Sequence, residues 1–304
     1  MKTVFREVKK NKVLFLMLAP AIIYVLIFSY IPMAGLIVAF KNFNYNDGVL
    51  FSPWNGLENF RFLFLSGTAF KVARNTLGYN LMFLVFGTFT EVMVAVLIAE
   101  MSGRYFKKIC QGLMFIPFFI SWVSVAVIAY NFLNYEMGIV NQILKSVGTE
   151  QFDFYGNKYI WIVIFPLLSI WHNVGYGSII YLAAIVGIEQ DVYEAAQIDG
   201  ANAFQRIHHI TLPLLKPTVV IMVLLALGRL MRGNFEMFYQ IVGTDPLVYD
   251  TTDIIDTFVF RALTNGSDYG MSTAAGFIQS ILCFVMILAA NWFVKLFDKD
   301  YALF

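Results

Sequence analysis

The sequence predicts an all-α integral membrane protein with six transmembrane helices and both termini cytoplasmic. Three observations predict this. Of 304 residues, 59% are hydrophobic and 13% are charged, about half the charge of an ordinary soluble domain. Six apolar stretches reach the ~20 residues that a helix needs to cross roughly 30 Å of hydrocarbon. The basic residues gather on one side of those stretches, as the positive-inside rule requires. A formal net charge of +1 gives no electrostatic footprint for a nucleic acid.

In chain order the expected spans are Val13–Phe40, Leu77–Ala99, Leu113–Leu133, Ile160–Ile188, Thr218–Val242 and Ala274–Leu296. This divides the chain into a basic amino terminus (1–12), a spanning region (13–297) and a short tail (298–304). Within the spanning region lie an external segment (41–71) and a cytoplasmic loop (189–217). The first span is too long for a signal-peptide core and lacks a small-residue cleavage site, so it is expected to be retained. Lys2, Arg6, Lys9, Lys10 and Lys12 mark the amino terminus as cytosolic, as do Arg104, Lys107 and Lys108 for the second connection. Lys295 and Lys299 do the same for the tail, whereas Asp245, Asp250, Asp253, Asp256 and Asp268 crowd the last external loop. Cys110 and Cys283 lie in a loop and inside a span, with no metal spacing around them.

The most distinctive stretch is a polar island between two spans, EAAQIDGANAFQRIHHITLPLLKP, from Glu194 to Pro217. It reads as a short helix, a break at Gly200, a second amphipathic piece and a proline-bounded entry into the next span. A simple reversal needs only a handful of residues. This loop carries its own apolar stripe of Ala201, Phe204, Ile207 and Ile210, which suits docking on another subunit's groove. Gly200 permits a sharp bend, and Pro213 and Pro217 are expected to fix where the chain re-enters the membrane. An interfacial helix lying on the lipid is the alternative reading. His208 and His209 are adjacent, so on a helix they diverge and make poor joint metal ligands.

The loop resembles, position for position, the signature of permease subunits of ABC importers: Glu194, Ala195, Ala196, Gly200, Ile210, Leu212 and Pro213. Asp199, Ala201 and Phe204 match the fuller version common in sugar importers. NTLGYNL, FIPFFISWVSVAVIAYNFL, GIVNQIL, DIIDTFVFRAL and ANWFVKLF are similar to the branch handling oligosaccharides and breakdown products of complex polysaccharides. The resemblance runs from about Asn75 to the end, and more loosely through the first span and WNGLENF. It implies the type I ABC-importer permease architecture in a bacterial cytoplasmic membrane. It also implies a second homologous permease, two ATPase subunits and an extracellular solute-binding protein as partners. No phosphate-binding glycine-rich loop ending in Gly-Lys-Ser or Gly-Lys-Thr occurs in the chain. No cofactor is therefore expected on this chain, which would not be an enzyme; ATP and magnesium would bind the partner ATPases. The resemblance makes the Glu194–Pro213 loop the coupling helix.

Polar residues within spans are costly and normally face the bundle or water. The fifth span holds Arg229, Arg232, Asn234, Glu236, Tyr239 and Gln240. On a continuous helix Glu236 lies one turn from Arg232, so an Arg232–Glu236 ion pair is expected, leaving Arg229 for Glu91 or for a solute. The fourth span holds Trp171, His172, Asn173 and Tyr176, residue types that stack on and hydrogen-bond to sugars. An interhelical hydrogen bond is the competing role for His172. By resemblance, His172, Asn173 and Tyr176, and residues near Arg229 to Asn234, line the solute path. Paired arginines favour an acidic solute, with a neutral sugar and a non-sugar solute as alternatives. A secondary transporter would need an internal repeat with paired broken helices, which the sequence lacks. A membrane-bound enzyme would need a catalytic cluster. The acidic last loop has no such spacing, and is expected instead to form a docking surface for a binding protein.

Overall fold

The computed structural model describes residues 10–65, 67–243, 245–265 and 268–297. Lys2, Arg6, Lys9 and Lys299, with most of the 1–12 terminus and the 298–304 tail, lie outside the described residues. Among the described residues every regular element is helical apart from a single bridge between Lys41 and Trp54.

The chain opens with α1 (Lys12–Phe40), which is apolar on every side and has none of its spanning window buried by the rest of the chain. A short surface helix, α2 (Glu58–Leu65), precedes the long α3 (Thr68–Glu100). The predicted third span is not continuous. It divides into α4 (Arg104–Phe115), with a tight turn through Phe119, and α5 (Trp122–Leu133), bent by 94°. Pro117 sits in that turn and the Ser121 side chain caps α5 by accepting from Ser124 N. The proline ends one helix and the cap starts another. A short α6 (Ile139–Ser146) leads to α7 (Trp161–Val186), close to the fourth span expected.

After α7 come α8 (Gln190–Ile198) and α9 (Ala203–Leu227), then α10 (Phe235–Val242), α11 (Ile255–Asn265) and α12 (Tyr269–Phe297). Two expectations fail here. Pro213 and Pro217 do not bound the loop; both lie inside α9, which runs unbroken from the loop into the membrane. The fifth span itself ends at Leu227, and residues 228–234 form a non-helical break before α10.

Helices α3 and α7 pack along their lengths and form the spine. Gly175 lets α7 approach α4 so closely that a Cβ there would collide with the Met114 carbonyl. Two apolar clusters cover opposite ends of the spine. One gathers Tyr79, Trp122, Trp161, Phe165, Phe238 and Ile254; the other gathers Ala95, Ile98, Tyr181, Ile185 and Leu215. Between Tyr79 and Ala95, α3 carries its polar side chains Asn80, Thr88, Thr90 and Glu91 among apolar ones that pack on both clusters.

Candidate functional site: a charged cavity and a projecting loop

The break at 228–234 leaves backbone groups without helical partners, and beside membrane spans such irregular backbone survives only when its partners come from the protein or a water-filled cavity. Side chains from three helices supply them. Asn80 on α3 donates to the carbonyls of Leu230 (2.7 Å) and Arg232 (3.1 Å). Gln279 on α12 donates to Met231 O at 2.8 Å, and Asp256 accepts from Gly233 N at 2.7 Å. A side chain at Gly233 would collide with Ile254. Asn234 then caps α10, its side chain accepting from Met237 N at 3.1 Å.

The break borders a cavity of about 340 Å³ lined by Asn80, Thr88 and Glu91 of α3, Tyr181 of α7, and Arg229 and Arg232. The predicted Arg232–Glu236 ion pair is absent. The spacing argument assumed a continuous helix, and the break removes the register that would bring them together. Arg232 instead acts electrostatically on Asp256. Arg229 and Glu91 share the cavity without an ion pair. Tyr239 stacks on Phe235 and meets Phe260 edge-on, away from the cavity.

The fourth-span residues do not join this set. His172 is buried, its Nε2 lies 2.9 Å from Ile120 O, and its ring stacks on Trp122 with centroids 4.3 Å apart. That is the interhelical role, holding α7 to the α4–α5 turn. Asn173 donates to Ser169 O at 2.9 Å within its own helix. Tyr176 stacks on Phe118 at 4.3 Å and keeps an exposed face.

The acidic segment after α10 is partly tied into the fold and partly exposed. Asp253 is 3% exposed and takes a two-pronged ion pair from Arg261, whose Nη2 is 2.6 Å away. Asp250 is exposed between Lys71 and Lys158, and Asp245, Asp256 and Asp268 are half-buried.

The projecting loop is held by local caps and by bonds to neighbouring helices. Gly200 takes φ +82° and ends α8 with paired bonds, Gly200 N to Gln197 O (3.0 Å) and Ala201 N to Ala196 O (2.9 Å), the arrangement that favours glycine. Asn202 starts α9 with a reciprocal cap to Gln205. Arg206 reaches Glu100 at 3.4 Å, and Tyr193 meets Thr211 at 2.9 Å. Glu194, Ala195, Asp199, Leu212 and Pro213 are exposed, and Ala196, Ala201 and Ile210 are half-buried. Ile198 and Phe204 are 87% and 76% exposed. Two large apolar side chains held outward by a fixed scaffold suit a partner's surface better than water.

Residues 91–302 match the binding-protein-dependent transport system inner membrane component family. The chain belongs to this family. As a member it is a multi-pass permease of a bacterial membrane, a transport subunit of an ABC importer. Protein LplB of Bacillus subtilis is 34% identical over 96% of this chain and 91% of its own length. The polygalacturonan/rhamnogalacturonan transport system permease protein YteP of the same organism is 33% identical over 96% and 90%. A chain of a bacterial ABC transporter that imports the acidic polysaccharide alginate superposes with a TM-score of 0.87, at 34% identity over 96% of this permease and 98% of that chain. A second structure of the alginate transporter, bound to a periplasmic protein holding an alginate pentasaccharide, matches equally well at 33% identity.

Sequence reasoning missed Asn80, Thr88 and Tyr181 as parts of the permease's charged cavity and Asp256 and Gln279 as supports of the break, and named Glu91 only as a partner. Asn80 and Glu91 did carry a signal, being polar residues inside the apolar α3. Residues 228–234 carried another, with two glycines and two arginines within seven positions.

Proposed function

We propose that this permease forms one half of the path for an acidic oligosaccharide, delivered by an extracellular binding protein and driven by separate ATPase subunits. Its partner is a second homologous permease, and two ATPases seat on the loop from Glu194 to Pro213. Both termini and that loop face the cytosol, where nucleotide is available, and ATP and magnesium bind the ATPases only. Ile198, Phe204 and the turn at Gly200 make the contact.

The observation that carries the solute reading is the placement of Arg229 and Arg232 in a non-helical break lining a cavity. A guanidinium offers a planar fork that matches a carboxylate. The alginate importer and the polygalacturonan/rhamnogalacturonan permease point to the same class. The test is ATP-dependent uptake by the reconstituted complex, comparing trigalacturonate with the same sugar after reduction of its carboxyls to alcohols. Faster uptake of the charged sugar supports the reading; preference for the reduced one contradicts it.

A further inference from the structure

Glu91 is the residue that neither packing nor the loop explains. It lies well inside α3, half-buried, and its carboxylate rests against Gly177 of α7, where a Cβ would collide with it. Gly177 therefore leaves room for an acid at the helix crossing. Among the described residues Glu91 makes no hydrogen bond or ion pair; its electrostatic neighbour is Tyr181. Across the same cavity Arg229 is exposed and, among the described residues, its side chain is equally without a hydrogen-bond or ion-pair partner. Arg232 differs, because Asp256 answers part of its charge.

A lone acid and a lone base facing one cavity in a membrane are each expensive. Pairing them would remove both costs, and the chain does not pair them. We infer that Glu91 is a specificity-determining residue of the solute path, held apart from Arg229 so that a sugar bearing both a carboxylate and free hydroxyls fits between them. Arg229 takes the carboxylate, and Glu91 accepts hydrogen bonds from hydroxyls of the same solute. Asn80, Thr88 and Tyr181 supply further neutral polar contacts along the wall. Glu91 also offsets the arginine field, so an anion is recognised without being trapped, which a conducting site requires. This rests on the acidic-oligosaccharide reading above and adds to it a second charge with the opposite effect.

The test uses the complete complex with its binding protein in proteoliposomes. The variants are Glu91→Gln, which keeps the shape on Gly177, and Arg229→Gln. Each is normalised to the amount of folded complex. The readout is the ratio of trigalacturonate uptake to uptake of its carboxyl-reduced form. The binding protein is the same in every arm, so its own preference cancels. Glu91→Gln is expected to raise the ratio by about threefold to tenfold, the size expected for a unit charge acting across roughly 10 Å in a partly solvated site. Arg229→Gln is expected to lower it by a similar factor. Shifts in the same direction, or no shift in either variant, would overturn the proposal. Failure of Glu91→Gln to fold would do so too, by assigning the acid to packing. Wild-type protein that carries neither sugar would instead remove the acidic-oligosaccharide reading itself, a result separable from the variant outcomes.

Discussion

Asp253 and Asp250 stand three positions apart and behave oppositely. Asp253 is buried and held by Arg261, whose guanidinium also stacks over Tyr249 at 4.2 Å. Asp253→Ala leaves a largely buried arginine without its counter-charge, a loss expected to cost about 3–5 kcal/mol. Thermal unfolding of the purified complex should show a clear drop in midpoint; an unchanged midpoint would mean that Arg261 finds another partner. Asp250 is in solvent, where hydrogen bonds from Lys158 and Lys71 hold its carboxyl below the usual carboxylate range. Because its folded pKa is depressed, its contribution is present above the unfolded value and is lost only as pH falls into the acid range. Lys158→Ala is therefore expected to lower the unfolding midpoint at neutral pH, only slightly because the pair is solvent-screened, and the difference from wild type should shrink as pH falls into the acid range. The sequence displayed both as members of one acidic loop, since composition carries no burial. The Arg232–Glu236 pair failed for a related reason: spacing predicts a contact only if the helix between the two residues exists.

Elements that hydropathy places most securely are those whose apolar run is uninterrupted. Helices α1, α7 and α12 fall close to the stretches expected, and α3 extends several residues earlier than its apolar core. The third and fifth spans were legible as apolar lengths but not as broken helices. A window average cannot register a turn whose backbone is satisfied by residues 150 positions away, as Asn80 does for Leu230. Asn80→Leu tests that account. It keeps the volume but removes both donors, leaving two carbonyls in a low-dielectric break at about 1–3 kcal/mol for each group. Folded yield and melting temperature should both fall; wild-type values for both would show that the break holds its shape unaided. The loop was legible nearly residue by residue, because its glycine turn and cap depend on local chemistry. Gly200 has open space around it, so Gly200→Trp adds no clash within this chain. It costs about 1–2 kcal/mol of left-handed strain. The complex should retain normal folded yield while uptake collapses. Normal uptake and normal ATPase stimulation in this variant would remove the loop from the coupling route.

For the whole molecule, the cavity and the loop lie on one continuous piece of chain. Helix α9 begins in the loop at Ala203 and ends at Leu227, immediately before the arginine-bearing break. One helix therefore joins the loop directly to the charged break. The described lining of the charged cavity comes from this one chain, and the apolar spanning window of α1, ahead of its packed end at Val38 and Ala39, has no cover from its own chain. Both features suit an assembly of one copy of this permease, one homologous permease and two ATPases. Native mass measurement should find that composition, and two copies of this chain without a second permease would contradict it. If nucleotide hydrolysis on separate subunits drives solute past this chain, trigalacturonate should accumulate in proteoliposomes containing the full complex and binding protein. The account predicts uphill accumulation that needs ATP and both ATPase subunits and persists after ion gradients are collapsed. Accumulation driven by an ion gradient in the absence of the ATPases would contradict it.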